Sequence, residues 1–359
     1  MPITKIPAAG FSDAVNFRNI IINGDMSIAQ RGDVTSANSS GYKAIDRYRH
    51  TISIATWSIS QSTDVPSGQG FAKSMKMDCT TAEASPGSTD ALAFVQKIEG
   101  QNLQYLKKGT SNAESLTVSF WVKSNKTGTA QVNLFDEDNT RIIGKQWSIS
   151  SADTWEKKTL TFDGDTSGAL GNDNGSSLRC EIWLDAGSAY KTGATPTSWE
   201  SLNTADYFAG GTLNLGDNTA NEIYITGLQM EVGTSASDFE FLPHDVNLER
   251  CQRYFISYGG DSTYERIGVG TVYSSSVALI EIHYPVSMRT RASLSFENIS
   301  NHRLIAGSTQ SAFTGYTEDS SSTKVAHFEC TGASGLTIGQ AAILFAVNTN
   351  VRLFLSAEL

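Results

Sequence analysis

Residues 116–123 read LTVSFWVK. Leu116, Val118, Phe120 and Val122 alternate with Thr117, Ser119, Trp121 and Lys123. A period of two puts the four apolar side chains on one face of an extended chain, whereas a helix would scatter them around its axis. The stretch is therefore expected to be a β-strand with one face in a core. AQVNLF (130–135), KKTLTF (157–162), RCEIWL (179–184) and NEIYITGLQMEV (221–232) read the same way. Their connections, SNKTGT, FDEDNT, FDGDTSGALGNDNGSS and LGDNTA, are rich in the residues that favour turns. Short alternating strands separated by such turns predict an all-β sandwich. Helical periodicity is confined to GQNLQYLKKG (100–109) and DVNLERCQRYF (245–255), where Val246, Leu248, Cys251 and Phe255 share a stripe.

The chain has 359 residues, of which 18% are charged, a low share that suits a turn-rich β protein. Its 37 acidic and 27 basic residues give a net charge of −10, which argues against a nucleic-acid partner because phosphates attract basic surfaces. Cys79, Cys180, Cys251 and Cys330 are too far apart for a zinc motif or a compact disulfide framework, and buried free thiols are expected. The first residues, MPITKIPAAGFSDAVNF, show no charged segment leading into an apolar one, so no secretory signal is expected. No apolar run approaches the roughly 18 residues that span a bilayer, and membrane insertion is not expected.

GLQMEVGTSASDFEFLP (227–243) marks a domain boundary. Its alternation places Leu228, Met230 and Val232 on the inward side of a last strand. Gly233-Thr234-Ser235 then turns the chain away, Phe239 and Phe241 pin the exit against the sandwich, and Pro243 ends strand pairing. The expected organisation is an attachment arm (1–15), a jelly-roll domain (16–243), a short helical connector (244–255) and a smaller C-terminal β-sandwich (256–359).

NIIINGDMSIAQRG (19–32) reads as an apolar strand followed by Asn-Gly-Asp, and in this it resembles the opening of jelly-roll carbohydrate-binding modules. Such modules continue with strands resembling LTVSFWVKS (116–124) and TWEKKTLTF (154–162), and close on one resembling IYITGLQMEVG (223–233), in the order kept here. NGDMSIAQRG followed by AIDRYRH (44–50), with a closing strand that runs into QMEVGTSASDFEFLP and LERCQRYF, resembles more specifically the tail-fibre-like proteins of tailed bacteriophages. YPVSMRTRASLSFEN (284–298) resembles their end domains, so the likeness covers nearly the whole chain. It implies a virion protein, at the tail rather than the capsid, that adheres to host surface polysaccharide or lipopolysaccharide as a homotrimer. Residues 1–15 would hold it to other phage structural proteins. A capsid fibre or decoration protein, a polysaccharide depolymerase and a secreted cellular carbohydrate-binding protein are the alternatives. Where such modules often carry an acidic residue two positions after the Asp of NGD, this chain has Ser27, so the resemblance carries no calcium ligand to that end.

For glycan binding the candidates are Trp121 and Trp183, which fall on the polar faces of their strands, with Gln96 and Glu181 as partners for sugar hydroxyls. The competing reading has these rings packed under a loop or against another subunit. Catalysis is not expected: the five histidines form no HExxH motif and no serine lies in a G-x-S-x-G elbow. A glycosidase needs two facing carboxylates, for which Glu181 with Glu99 is the example the sequence offers. Adhesion requires no cofactor. Structural calcium at DEDN (136–139), at DGD (163–165) or around Asn172, Asp173 and Asn174 is an option that lacks the spacing of a calcium loop, and solvated turns are expected there. Arg31, Asp46 and Arg47 point to a salt-bridged element near the start of the first domain.

Overall fold

The structure is a computed structural model that describes residues 17–349 and 351–359. The expected arm, residues 1–15, lies outside the described residues. The chain divides into two compact units, the first running up to His244 and including Leu359, the second from Asp245 to Glu358. Each is built from antiparallel sheets.

Unit 1 is the expected jelly-roll sandwich. One sheet has six strands in the spatial order Val34–Ala37 (β1), Thr56–Ser62 (β4), Ser74–Thr81 (β5), Glu222–Val232 (β13), Leu116–Ser124 (β7) and Glu156–Phe162 (β10). The other has seven: Glu200–Ser201 (β12), Arg141–Ile149 (β9), Gly128–Asp136 (β8), Ser176–Ala186 (β11), Ala91–Glu99 (β6), Arg49–Ile52 (β3) and Gly41–Tyr42 (β2). Val118, Phe120 and Val122 of β7 are fully buried, and Phe120 meets Trp147 of β9 edge-on across the sandwich at 5.1 Å. Burying each such side chain contributes roughly 1.5–3 kcal/mol. The β8–β9 turn shows how local chemistry sets the ladder: the Asp136 carboxylate accepts the Asn139 N–H at 3.0 Å, and Thr140 adopts a positive φ.

Several expectations need correction. NIII (19–22) is not a strand. Ile20 donates to the Met230 carbonyl at 2.8 Å, and the next residues follow an irregular path. GQNLQYLKKG contains two short 3-10 turns, Gly100–Asn102 and Gln104–Leu106, instead of a helix. In β13 the strict alternation breaks at Gly227, where a bulge separates Thr226 from Gln229. Ile223 and Ile225 face the core before it, Leu228 and Met230 after it, and Val232 is exposed. Gly227 has φ 64°, and a Cβ there would come within 2.5 Å of the Phe71 ring, so only glycine fits.

Unit 2 begins with helix α1 (His244–Gln252), in which Cys251 is buried while Val246 and Leu248 are half-buried. Phe255 of the expected helical stripe opens a strand instead. A three-stranded sheet, Phe255–Tyr258 (β14), Leu353–Ser356 (β23) and Ser293–Phe296 (β17), packs on a seven-stranded one. The larger sheet runs Thr309–Ala312 (β19), His302–Ala306 (β18), Ala341–Ala346 (β22), Arg266–Ser274 (β15), Val277–His283 (β16), Val325–Thr331 (β21) and Gly315–Glu318 (β20). Half-buried Phe296 packs against this core, with its ring 4.9 Å from Tyr316, 5.6 Å from Phe313 and 5.9 Å from Phe328. All four cysteines are buried. Among the described residues no helix is long and apolar enough to cross a membrane.

Candidate functional site

The chain after β13 does not leave the sandwich. It folds back over the outer face of the six-stranded sheet. Gln229 and Glu231, on the outward side of β13, hold it there. Gln229 accepts from Glu240 N at 2.8 Å, and Glu231 accepts from Ser237 N at 2.9 Å. This returning segment buries Thr117 and Ser119, so the polar face of β7 is solvated at neither residue. Phe239 and Phe241 close on Phe71, each ring 5.1 Å away, as pins of the exit.

Beside these pins the outer face opens into a pocket of about 380 Å³. Trp121 forms its floor with Phe71 and Phe241. Ser119, Lys157, Gln69 and Asp238 supply polar groups at its sides. Lys157 is the direct cross-strand partner of Trp121 on β10. The bulge at Gly227 lets the rings of Phe71 and Trp121 approach the backbone, since a Cβ at that position would touch both. Trp121 itself is half-buried, with Phe241 48% exposed beside it. A half-open indole ring with serine, amide, carboxylate and ammonium side chains lining the same pocket is able to stack on the apolar face of a sugar ring and bond its hydroxyls.

The four residues singled out from sequence are not one site. Trp121 is on the six-stranded sheet, and the other three are on the seven-stranded one. Of those, only Glu181 and Trp183 meet: the indole donates to the Glu181 carboxylate at 2.9 Å. Trp183 is only 7% exposed, with its ring stacked on Tyr207 at 4.8 Å and flanked by Tyr190 at 5.3 Å. Its face is covered, as the packing reading requires. Glu181 is buried and its pKa is raised, first by loss of solvent, against the pull of the Trp183 and Arg179 donors. Gln96 pairs in register with Cys180 and therefore lies on the opposite side of the sheet from Glu181, whose partner is Val95. Both ends of its amide are taken by Ile22, at 2.7 Å to the N–H and 2.9 Å to the carbonyl, so it is a clamp for the N-terminal segment. Glu99 lies four residues from Val95 along β6, which separates it from Glu181 by roughly 13 Å of strand, beyond the range of a hydrolytic pair. The pocket residues that sequence reasoning missed are Phe71, Gln69, Lys157 and Asp238. Only the cross-strand register and the returning segment bring them to Trp121.

Two of the acidic turns weighed for calcium, DEDN and DGD, have another occupant. Asp136 and Asp165 converge on the Lys108 ammonium, Asp165 at 2.9 Å, and Arg141 adds a bond to Asp165 at 2.7 Å. Among the described residues no group of three or more His, Cys, Asp or Glu side chains is placed to hold a metal.

The motifs that carry the resemblance form a buried polar joint. Asn23 donates to the carbonyls of Ile28 at 2.9 Å and Asp46 at 3.1 Å, and receives Ile28 N at 3.0 Å. Asp46 pairs with Arg31 at 3.4 Å, and Arg47 reaches the Lys97 carbonyl at 2.8 Å. Gly24 accepts from Leu228 N at 2.9 Å and lies against the Leu228 carbonyl so closely that any side chain would clash.

No protein-family model and no curated protein matches the chain. Solved structures do. The enzymatically active domain of tailspike protein 4 from bacteriophage CBA120 is 13% identical over 60% of this chain, with a TM-score of 0.31; the chain spans 22% of that domain's length. A CBM4 structure is 12% identical, covering 59% of this chain and 98% of its own, with a TM-score of 0.31. The tandem CBM22-1–CBM22-2 domain of Paenibacillus barcinonensis Xyn10C is 9% identical, covering 95% of this chain and 98% of its own, at a TM-score of 0.28.

Proposed function

We propose that the chain is an adhesive structural protein of a bacteriophage virion, a homotrimeric tail fibre or receptor-binding protein that holds host surface glycan without cleaving it. The glycan part rests on the Trp121 pocket, an aromatic floor with hydroxyl, amide and charged groups around it on an outward sheet face. The virion part rests on the ordered scaffold motifs NGDMSIAQRG, AIDRYRH and QMEVGTSASDFEFLP, which resemble those of tail-fibre-like proteins. Repetition in a trimer would turn weak sugar contacts into firm attachment with no catalytic group.

The pocket is tested on arrays of purified host lipopolysaccharide and capsular polysaccharide. Trp121→Leu, which keeps apolar bulk but removes the flat ring, is expected to weaken binding by about tenfold or more. Lys157→Ala, at an exposed position, should weaken it without touching the fold. Trp183→Phe should leave it unchanged because that ring is covered. Binding that survives both pocket variants would rule the pocket out. The virion assignment predicts that cryo-electron microscopy of the intact particle finds the chain at the tail, and a position on the capsid shell would overturn it.

A further inference from the structure

Two charged side chains, Lys157 and Asp238, line the Trp121 pocket without pairing with each other. Trp121 of β7 stands in register between Thr226 of β13 and Lys157 of β10. Asp238 belongs to the opposite wall, where its backbone carbonyl accepts from Gln229 of β13 at 3.3 Å. Neighbouring strands lie about 4.8 Å apart, so the β13 and β10 sides are separated by roughly 10 Å, room for one sugar ring with its substituents. Among the described residues neither the Lys157 ammonium nor the Asp238 carboxylate has a hydrogen bond or an ion pair. Other lysines on the same outer face are occupied, Lys76 by Glu222 at 2.6 Å and Lys123 by Asp64. Glu156, beside Lys157 in sequence, turns to Lys158 and to the amides of Ser150 and Ser151.

We propose that the sugar held in this pocket is acidic, with a carboxylate or phosphate set against the Lys157 ammonium and hydroxyls against Asp238. The inference rests on the reading of the Trp121 pocket as the glycan site and adds the class of glycan. An ammonium only donates and a carboxylate only accepts, so the two walls call for unlike edges of one ligand. A neutral sugar would cover Lys157 and strip its water without supplying a counter-charge. An anion supplies a charge-assisted bond about twice as strong as a neutral one. Asp238 has no matching need, because the Arg18 guanidinium donates to that residue's own carbonyl and places a cation at this wall. The ring of Trp121 stacks on the apolar face between the two edges. The net charge of −10 gives acidic polymers no general attraction to the protein, and at physiological salt charges act over only about 8 Å. Selection of an acidic sugar therefore falls to this local contact.

Equilibrium binding of the full chain to paired polymers tests it: an acidic capsular polysaccharide of the host with its carboxyl-reduced form, and host lipopolysaccharide with its dephosphorylated form. The wild type is expected to bind one of the untreated polymers about tenfold or more tighter than its treated counterpart. The pair that shows the difference tells carboxylate from phosphate. Lys157→Met, which keeps the stem and removes the charge, should bring binding of that polymer down to the level of its treated form. Lys157→Arg should keep the preference. Equal binding of treated and untreated polymers, or a preference that survives Lys157→Met, overturns the inference; if Trp121→Leu still weakens binding, the pocket itself stands. Binding indifferent to Trp121→Leu removes the pocket and the inference together, as does failure to bind any of these polymers.

Discussion

Replacing Lys108 by methionine is expected to lower the unfolding free energy of unit 1 by about 3–5 kcal/mol. The ammonium is nearly sealed from solvent, as are both carboxylates it serves. It also donates to the carbonyls of Ser167 at 3.1 Å and Gly168 at 2.9 Å, and lies 5.1 Å from the centroid of the Trp199 ring. Burial works against ionisation of Asp165, yet its bonds to Arg141 and Lys108 hold its carboxyl below the usual range. Methionine keeps the stem's packing and removes the charge. Asp165 then retains Arg141, whereas Asp136 retains the Asn139 amides and loses its counter-ion. A buried carboxylate without a counter-ion costs more than the pair contributed, which is why breaking such a pair hurts more than replacing it whole. The double variant Lys108→Met with Asp136→Asn should therefore recover much of the loss. All six tryptophans fall between positions 57 and 199, so fluorescence in a denaturant titration reports unit 1 alone. A loss below about 1 kcal/mol would mean that water, not the lysine, satisfies these carboxylates.

The same network marks a limit of sequence reading. DEDN and DGD were legible as acidic turns, but which cation neutralises them depends on a lysine from a segment read as helical. That segment is two 3-10 turns, whose irregular path delivers Lys108 between strands β8 and β10. Period-two alternation found β7, β8, β10, β11 and β13 because each has one face in the core, and a one-residue slip would expose that face. It failed at Gly227, where a bulge inserts a residue, and at Val232, which keeps the parity of Leu228 and Met230 but is exposed at the strand's end. The Asn-Gly-Asp motif was visible only as a likeness. The structure gives its cause: Asn23 satisfies three backbone groups, and Gly24 allows contact with the bulge in β13.

For the candidate site, strand parity correctly put Trp121 outward, yet parity alone cannot distinguish an outward ring left half-open from one buried by a loop. Trp121 and Trp183 have the same sequence signature. Tyr190 and Tyr207, from the long connection between β11 and β13, close over Trp183, whereas the returning segment stops short of Trp121 and forms one wall of its pocket. Gln96 was misread because its partner is backbone: the Ile22 amide it clamps leaves no trace in residue spacing.

Acidification should destabilise unit 1 through His50. This residue of β3 is fully buried opposite Phe94 of β6. Burial, helped by the positive charge of Lys43 and to a lesser degree of Arg49, lowers its pKa from 6.5 to about 3, against a smaller opposing contribution from the Tyr48 backbone. In the unfolded chain the imidazole takes up a proton near pH 6.5, whereas in the native state it resists to about pH 3. Between these values the unfolded state binds more protons, so stability falls as pH falls, by about 1.4 kcal/mol per pH unit. Across the whole window the loss from this one group approaches about 5 kcal/mol, comparable with the entire stability of many domains. Asp165, whose carboxyl is held below the usual range, also loses its contribution as pH falls, so the informative quantity is a difference. His50→Leu keeps the site filled and removes the proton acceptor. The gap between wild type and His50→Leu, measured by tryptophan fluorescence in denaturant at successive pH values, should shift in the variant's favour by about 1.4 kcal/mol for each unit below pH 6.5. Parallel profiles for the two proteins would mean that His50 accepts its proton inside the folded domain, and that the wall formed by Tyr48 and Phe94 opens to water well above pH 3.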